Sequence, residues 1–259
     1  MKNEKPTILV VNDDGIDAPG IKVLMDAMKS LGHVVVVAPD GPQSGTGHAI
    51  TIAKPLRLDR VHIYPDVEMY KCSGTPVDCV KLAVTKVFEG RKPDLCVSGI
   101  NHGLNHSINI LYSGTMSAAM EGAIESIPSI GFSYDDFSYE ADFSNCVPFI
   151  QSIAKQVLTH GLPPATLLNV NFPKATKMKA IKICRQANAK YAEEFDERSD
   201  PHQRKYYWLT GVFQSGDKGE DTDVWALKNN YVSVVPVQFD LTAHHAIPIL
   251  NSWQFDVKA

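Results

Sequence analysis

The stretch TILVVNDDGIDAPGI, Thr7 to Ile21, decides the fold. Thr7 to Val11 is an unbroken apolar, largely β-branched run of strand length, the pattern of a strand buried on both faces. It stops on Asn12, Asp13, Asp14 and Gly15. Pro19 then opens PGIKVLMDAMKSLG, where Ile21, Leu24, Met25 and Met28 recur at helical spacing before Gly32. HVVVVAP, from His33 to Pro39, is a second buried strand. Strand, helix and strand in succession make a βαβ unit, so a parallel sheet is predicted. Asp13 and Asp14 fall just past the carboxyl end of the first strand, where two adjacent anions repel. A bound cation, a helix N-terminus or hydration must compensate them.

The pattern repeats along the chain. Thr75 and Pro76 read as N-cap and first helical residue of PVDCVKLAVTKVF, KPDLCVSG as a strand, TMSAAMEGAIES as a helix and IPSIGFS as a short strand. NCVPFIQSIAKQVLTH is a further amphipathic helix, and LLNVNFP and KAIKICRQA are strand-like. From about Tyr191 the texture changes. EEFDERSDPHQRKYYWLTG is charged and then aromatic, which suits an extended hairpin or arm, and YVSVVPVQFD is a late strand with Pro236 near its end. The expected class is α/β, Rossmann-like, a mostly parallel sheet in three layers. Residues 1–190 are read as the core, with 191–259 as a C-terminal arm and oligomerisation segment completing the same single domain.

Composition narrows the function. The 259 residues carry a formal net charge of −4, with basic residues scattered, so neither a nucleic-acid polymer nor a membrane surface is an expected partner. Five cysteines, Cys72, Cys79, Cys96, Cys146 and Cys184, show no CxxC pair and no short zinc spacing; reduced thiols and a cytoplasmic location are the simple reading. Cys96, inside a strand, reads as a small buried apolar residue.

Ligands of open parallel sheets bind beyond the carboxyl ends of the strands, and three loops there are rich in glycine and small polar residues. They are Asn12 to Gly15, Pro39 to Thr51 and Ser98 to Thr115. Singly, the first two are ordinary turn or connection sequences, whereas the third is unusually long for filler. A helix beginning near Thr115 would aim backbone N–H groups at whatever the loop encloses, as phosphate sites do. One hypothesis joins the three loops. Asp13 and Asp14 share a hard divalent cation whose shell Ser44 and Asn101 complete, and such an ion beside a phosphate cradle means phosphoryl chemistry. His48, His102 and His106 lie in these loops as candidate proton donors or phosphate contacts, though each alone reads as a solvated histidine. His244 and His245 read as packing the arm.

The motifs VVNDDGIDAPGI, VVAPDGPQSGTGHAIT, CSGTPVDCVKLAV, SGIN, YSGTMSAAMEGA, YYWL and TDVWALKNNYVSVVPVQFDLT occur in this order. Together they closely resemble the SurE family of metal-dependent nucleotide phosphatases over nearly the whole chain. The resemblance implies hydrolysis of nucleoside 5′-monophosphates to nucleoside and phosphate, extending to 3′-nucleotides and short polyphosphate. It also implies one divalent ion (magnesium, manganese or similar) per subunit and a dimer or tetramer joined through the arm. The family's metal ligands fall on Asp13, Asp14, Ser44 and Asn101, and its phosphate contacts on Ser44, Asn101, Ser113, Gly114 and Thr115; Asp13, Asp14 and Asn101 would carry catalysis. The chain departs from the family pattern at Ser107, where a glycine is usual, and at Ile108 and Asn109, where acidic residues are. His202 and Gln203 stand where Arg-Gly is usual.

Other classes fit less well. NDDGIDAPG is no GxGxxG turn, and Asn12 occupies the position a nucleophilic aspartate needs in a DxD phosphatase. A non-enzymatic phospho-receiver or nucleotide-binding module stays as the alternative, though KPDLCVSGIN offers Ser98 and Asn101 in place of an acceptor aspartate. No aromatic pair is read as dedicated to one base, so discrimination among bases should be modest.

Overall fold

The computed structural model describes residues 5–255. The chain runs β1 (Thr7–Val11), α1 (Pro19–Lys29), β2 (His33–Pro39), β3 (Leu58–Val61), β4 (Glu68–Cys72), α2 (Pro76–Leu82), β5 (Leu95–His102), α3 (Gly114–Ile124), β6 (Ser129–Tyr134), α4 (Val147–His160) and β7 (Thr166–Phe172). It continues with β8 (Ile181–Ile183), β9 (Ala189–Ala192), β10 (Phe195–Ser199), β11 (Lys205–Leu209), β12 (Val212–Ser215), α5 (Asp223–Lys228), β13 (Val232–Gln238) and α6 (Ile247–Asn251). Nine strands form one sheet in the order β3-β4-β2-β1-β5-β6-β7-β13-β8. The six strands from β4 to β7 are mutually parallel. Numbered among themselves along the chain, they stand in the order 3-2-1-4-5-6, so the topology reverses between β1 and β5, where a crevice opens at the carboxyl edge.

The alternation of β1 explains the layers. Ile8 and Val10 face α1 and α4, joining Ile21, Leu24, Met28, Ile150 and Ile153 in one core. Leu9 and Val11 face the other way, onto Cys79 and Val80 of α2 and Ala118 of α3. Both faces are therefore covered, as the uninterrupted apolar runs require.

Several elements differ from the sequence reading. β4, the third parallel strand, and its antiparallel neighbour β3 were not expected there; EMYKC mixes polar and apolar residues because it lies one strand from the sheet edge. α5 is also additional, and KAIKICRQA contributes only the three residues of β8. Cys96 is buried as expected. β13 inserts between β7, antiparallel, and β8, parallel. Pro236 lies beyond the last residue paired with β8, so its missing N–H leaves no bond unmade on that side. The texture change near Tyr191 becomes two antiparallel pairs, β9 with β12 and β10 with β11.

Candidate functional site

The carboxyl end of β1 sits at the topological switch point, so Asp13 and Asp14 enter the crevice directly. Asn12 shapes this turn by donating its side-chain amide to the Gly15 carbonyl at 2.8 Å. Asp13 is almost wholly buried; its Oδ1 accepts from the Thr115 hydroxyl. Burial first, and then the charge of Asp14, pushes the Asp13 carboxyl up to about 7. Asp14 is raised by burial too, with the neighbouring His102 opposing, and its Oδ2 is buried without a hydrogen-bond partner.

The first turn of α3 approaches β1 so closely that a Cβ on Gly114 would stand 2.7 Å from that of Asp13. Ser113 is the N-cap, its hydroxyl accepting from the Met116 N–H at 3.0 Å. Thr115 thus serves Asp13, and Ser113 serves the helix end.

Asn101 lies across the switch point near the end of β5, just past a break in the β5–β6 register between Ser98 and Asn101. Its amide nitrogen donates to the Gly103 carbonyl at 2.8 Å and the His102 carbonyl at 3.2 Å, leaving its oxygen free to act as a ligand. Ser44 is exposed in the second loop. That loop is tied to both of the others: Gln43 donates its N–H to the Asp13 carbonyl at 2.7 Å, and Gly47 donates to the Tyr112 carbonyl at 3.2 Å. The three loops therefore converge, with Ser44 next to a residue bound to Asp13.

This donor set suits a hard cation. Two carboxylates, one with a buried orphan oxygen, share a desolvated end with an amide oxygen fixed by its own nitrogen's hydrogen bonds. Among the described residues no group of three or more His, Cys, Asp and Glu gathers, so a shell here would depend on hydroxyl and amide oxygens beside the two carboxylates.

The histidines are less solvated than their sequence context implies. Both ring nitrogens of His102 are buried without partners, and the ring packs against Tyr139 and Phe143. His106 packs on Phe213, its ring centroid 4.6 Å away, and burial holds it below the usual histidine range. His48 Nε2 lies 2.9 Å from Glu121, whose other oxygen is 2.5 Å from Lys81 Nζ. Burial works against the Glu121 charge, but His48 and Lys81 outweigh it and hold the carboxyl below its ordinary value. His244 makes an exposed pair with Asp240 at 2.9 Å.

Reading the sequence missed Glu121 as the anchor of the second loop and Asp223 as that of the third. Asp223 is fully buried and receives the N–H of Ser107 at 2.7 Å and of Ala187 at 2.9 Å. A single signal existed for Glu121: a carboxylate amid SAAMEGA, a helix too apolar to have a solvated face.

The family model described as Survival protein SurE matches residues 8–193. The chain is 59% identical over 259 residues to a Flavobacterium johnsoniae protein named 5′-nucleotidase SurE, covering 99% of this chain and all of that one. A Cytophaga hutchinsonii protein of the same name is 58% identical over 254 residues, covering 97% of this chain and 98% of that one. The crystal structure of the SurE protein from Aquifex aeolicus superposes with a TM-score of 0.84 at 43% identity, covering 95% of this chain and 98% of that one. With its parallel sheet, its paired aspartates at the switch point and these similarities over nearly its full length, the chain belongs to the SurE family.

Proposed function

We propose that this chain is a divalent-metal-dependent phosphomonoesterase acting on nucleoside 5′-monophosphates, with 3′-nucleotides and short polyphosphate as further substrates. The observation that carries the reading is the buried, unpartnered oxygen of Asp14 beside Asp13, at a strand end faced by the first turn of α3. Asp13, Asp14, Ser44 and Asn101 would hold one cation per chain. When bound, it supplies charge neutralisation and acidifies water. The relatives named 5′-nucleotidase SurE support the substrate class.

The chain's own residues divide the remaining work. The α3 N-terminus, through Gly114 and Thr115, with Ser113, Ser44 and Asn101, receives the phosphate oxygens. Thr115 fixes the rotamer of Asp13, and the tie from Gln43 to the Asp13 carbonyl sets where Ser44 stands. Asp13 or Asp14 orients the attacking water in line with the leaving ribose oxygen, with direct attack by one carboxylate as the alternative mechanism. The segment 191–259 completes the single domain of the catalytic core 1–190 and carries the arm through which copies associate.

Phosphate release from AMP, GMP, CMP and UMP, with and without chelator, tests this. Turnover that chelator abolishes and a divalent ion restores is the expected result. No release from any of the four with magnesium or manganese overturns it.

A further inference from the structure

The loop from Asp135 to Phe143, which follows β6, lies one strand from Asn101, and its aromatic residues are arranged unevenly. Phe143 is buried, 2% exposed, and meets His102 edge-on with centroids 5.1 Å apart. Tyr139 lies parallel to the His102 ring, 7° between planes and 6.2 Å between centroids, and is 79% exposed. Phe137 is 81% exposed and rests its ring edge on Gly103, a position with no room for a side chain. Two large aromatic faces thus stand in water beside the phosphate loops, and the loop is fixed internally. Ser138 donates its N–H to Asp136 at 3.0 Å, and Ala141 donates to the Ser138 carbonyl at 3.1 Å.

Charge decides what those faces take. Asp135, Asp136, Glu140 and Asp142 belong to the same loop, and Lys174 pairs with Asp136 at 2.9 Å. Such a surface repels phosphate and favours an uncharged planar ring, so the polar and aromatic ends of the crevice suit opposite ends of one nucleotide. A second copy of the chain is a poorer occupant. Two aromatic side chains bury roughly 150–250 Å² each, well short of the ~800 Å² per partner of a stable interface.

We propose that Tyr139 and Phe137 form the base-stacking platform of this enzyme, with His102 as the backing on which Tyr139 rests. The proposal deepens the nucleotidase reading and rests on it for the substrate. Stacking accepts any base, because every base offers a π-face. The platform therefore strengthens nucleotide binding without choosing among bases.

The test compares kcat/KM for AMP with that for ribose 5-phosphate, which lacks the base, in the full-length metal-loaded protein. Tyr139→Ala should lower the AMP-to-ribose-5-phosphate ratio roughly 5- to 100-fold, the range of base–aromatic stacking. Phe137→Ala should act in the same direction, and Tyr139→Phe should keep the ratio. Adenosine titration followed by calorimetry needs no turnover and should show Kd weakened by a similar factor in Tyr139→Ala. If neither phosphate ester is hydrolysed by the unmutated protein, the nucleotidase reading falls, and the adenosine titration still decides the platform. An unchanged adenosine Kd in the double Ala variant, or a change of particle size by light scattering in Tyr139→Ala, overturns the proposal.

Discussion

At the scale of single residues, the paired aspartates set stability against function. In the metal-free chain Asp13 keeps its proton to about 7, whereas the unfolded chain releases it near the ordinary value of 3.8. Below both values the two states hold the proton alike. Between them only the folded state does, so stability falls as pH rises through that window, by up to about 4 kcal/mol, and is level above it. Melts in chelator at pH 5 and pH 8 should show this fall, and Asp13→Asn should flatten it. Asp13→Ala and Asp14→Ala should cut turnover by more than about a thousandfold and shrink the rise in Tm that a divalent ion gives. Without metal both should be at least as stable as the unmutated chain at pH 8. Near-normal metal-stimulated hydrolysis by either variant contradicts the ligand assignment. The two family departures have a shared backbone meaning. Ser107 and Gln203 both hold positive φ, 51° and 61°, where the family pattern has glycine. Ser107 offsets this by donating its hydroxyl to the Ala187 carbonyl at 2.8 Å, whereas the Gln203 side chain makes no such bond among the described residues. Gln203→Gly should therefore leave Tm equal or higher, and Gln203→Val should lower the free energy of unfolding by about 1–2 kcal/mol, read as a lower Tm.

At the scale of elements, the site is a matter of how closely α3 meets β1 and what pins the loops to them. Gly114→Ala brings a methyl group within 2.7 Å of the Asp13 Cβ, so α3 must retreat from the strand end. Activity should fall at least about a hundredfold while circular dichroism keeps its helical signal, because alanine itself favours the helix. The second loop depends on Glu121 in the same helix. His48→Ala frees that loop at an exposed position, so KM and the metal concentration for half-activity should rise severalfold with Tm nearly unchanged. A loss of Tm without a change in either would assign the pair a purely structural role. The parallel core was legible in the sequence because strands such as TILVV and HVVVV are apolar on both faces. β4 was not, since covering by short β3 near an edge removes the need for a continuous apolar run. The candidate carboxylates and Asn101 could be picked out in the sequence because strand ends of such a sheet line its crevice. Glu121, Asp223 and the Tyr139 loop were hidden, because their partners are 73, 116 and 37 residues away and no local pattern encodes pairings at that range.

For the whole molecule, the β10–β11 hairpin is the part proposed to pack on a second copy. Tyr207, Trp208 and Leu209 are exposed on it, and a two-stranded hairpin is marginal in water without a packing surface. Light scattering at micromolar concentration should give a particle of more than one chain, and Tyr207→Asp with Trp208→Asp should reduce its size; a monomer in the unmutated protein contradicts the arm's role. No described helix is long and apolar enough to cross a membrane. The insertion of β13 between β7 and β8 gives this arm a further property. The polypeptide leaves the sheet at Ile183 and comes back at Val232, so the hairpin is a loop of rope with both feet moored, and Val232 and Val234 are buried at the second mooring. A protease that clips between Arg204 and Lys205 at the hairpin tip should therefore produce two bands on a denaturing gel and one undiminished peak in gel filtration. The two fragments, made separately and mixed during refolding, should find each other through that buried strand and through Asp223.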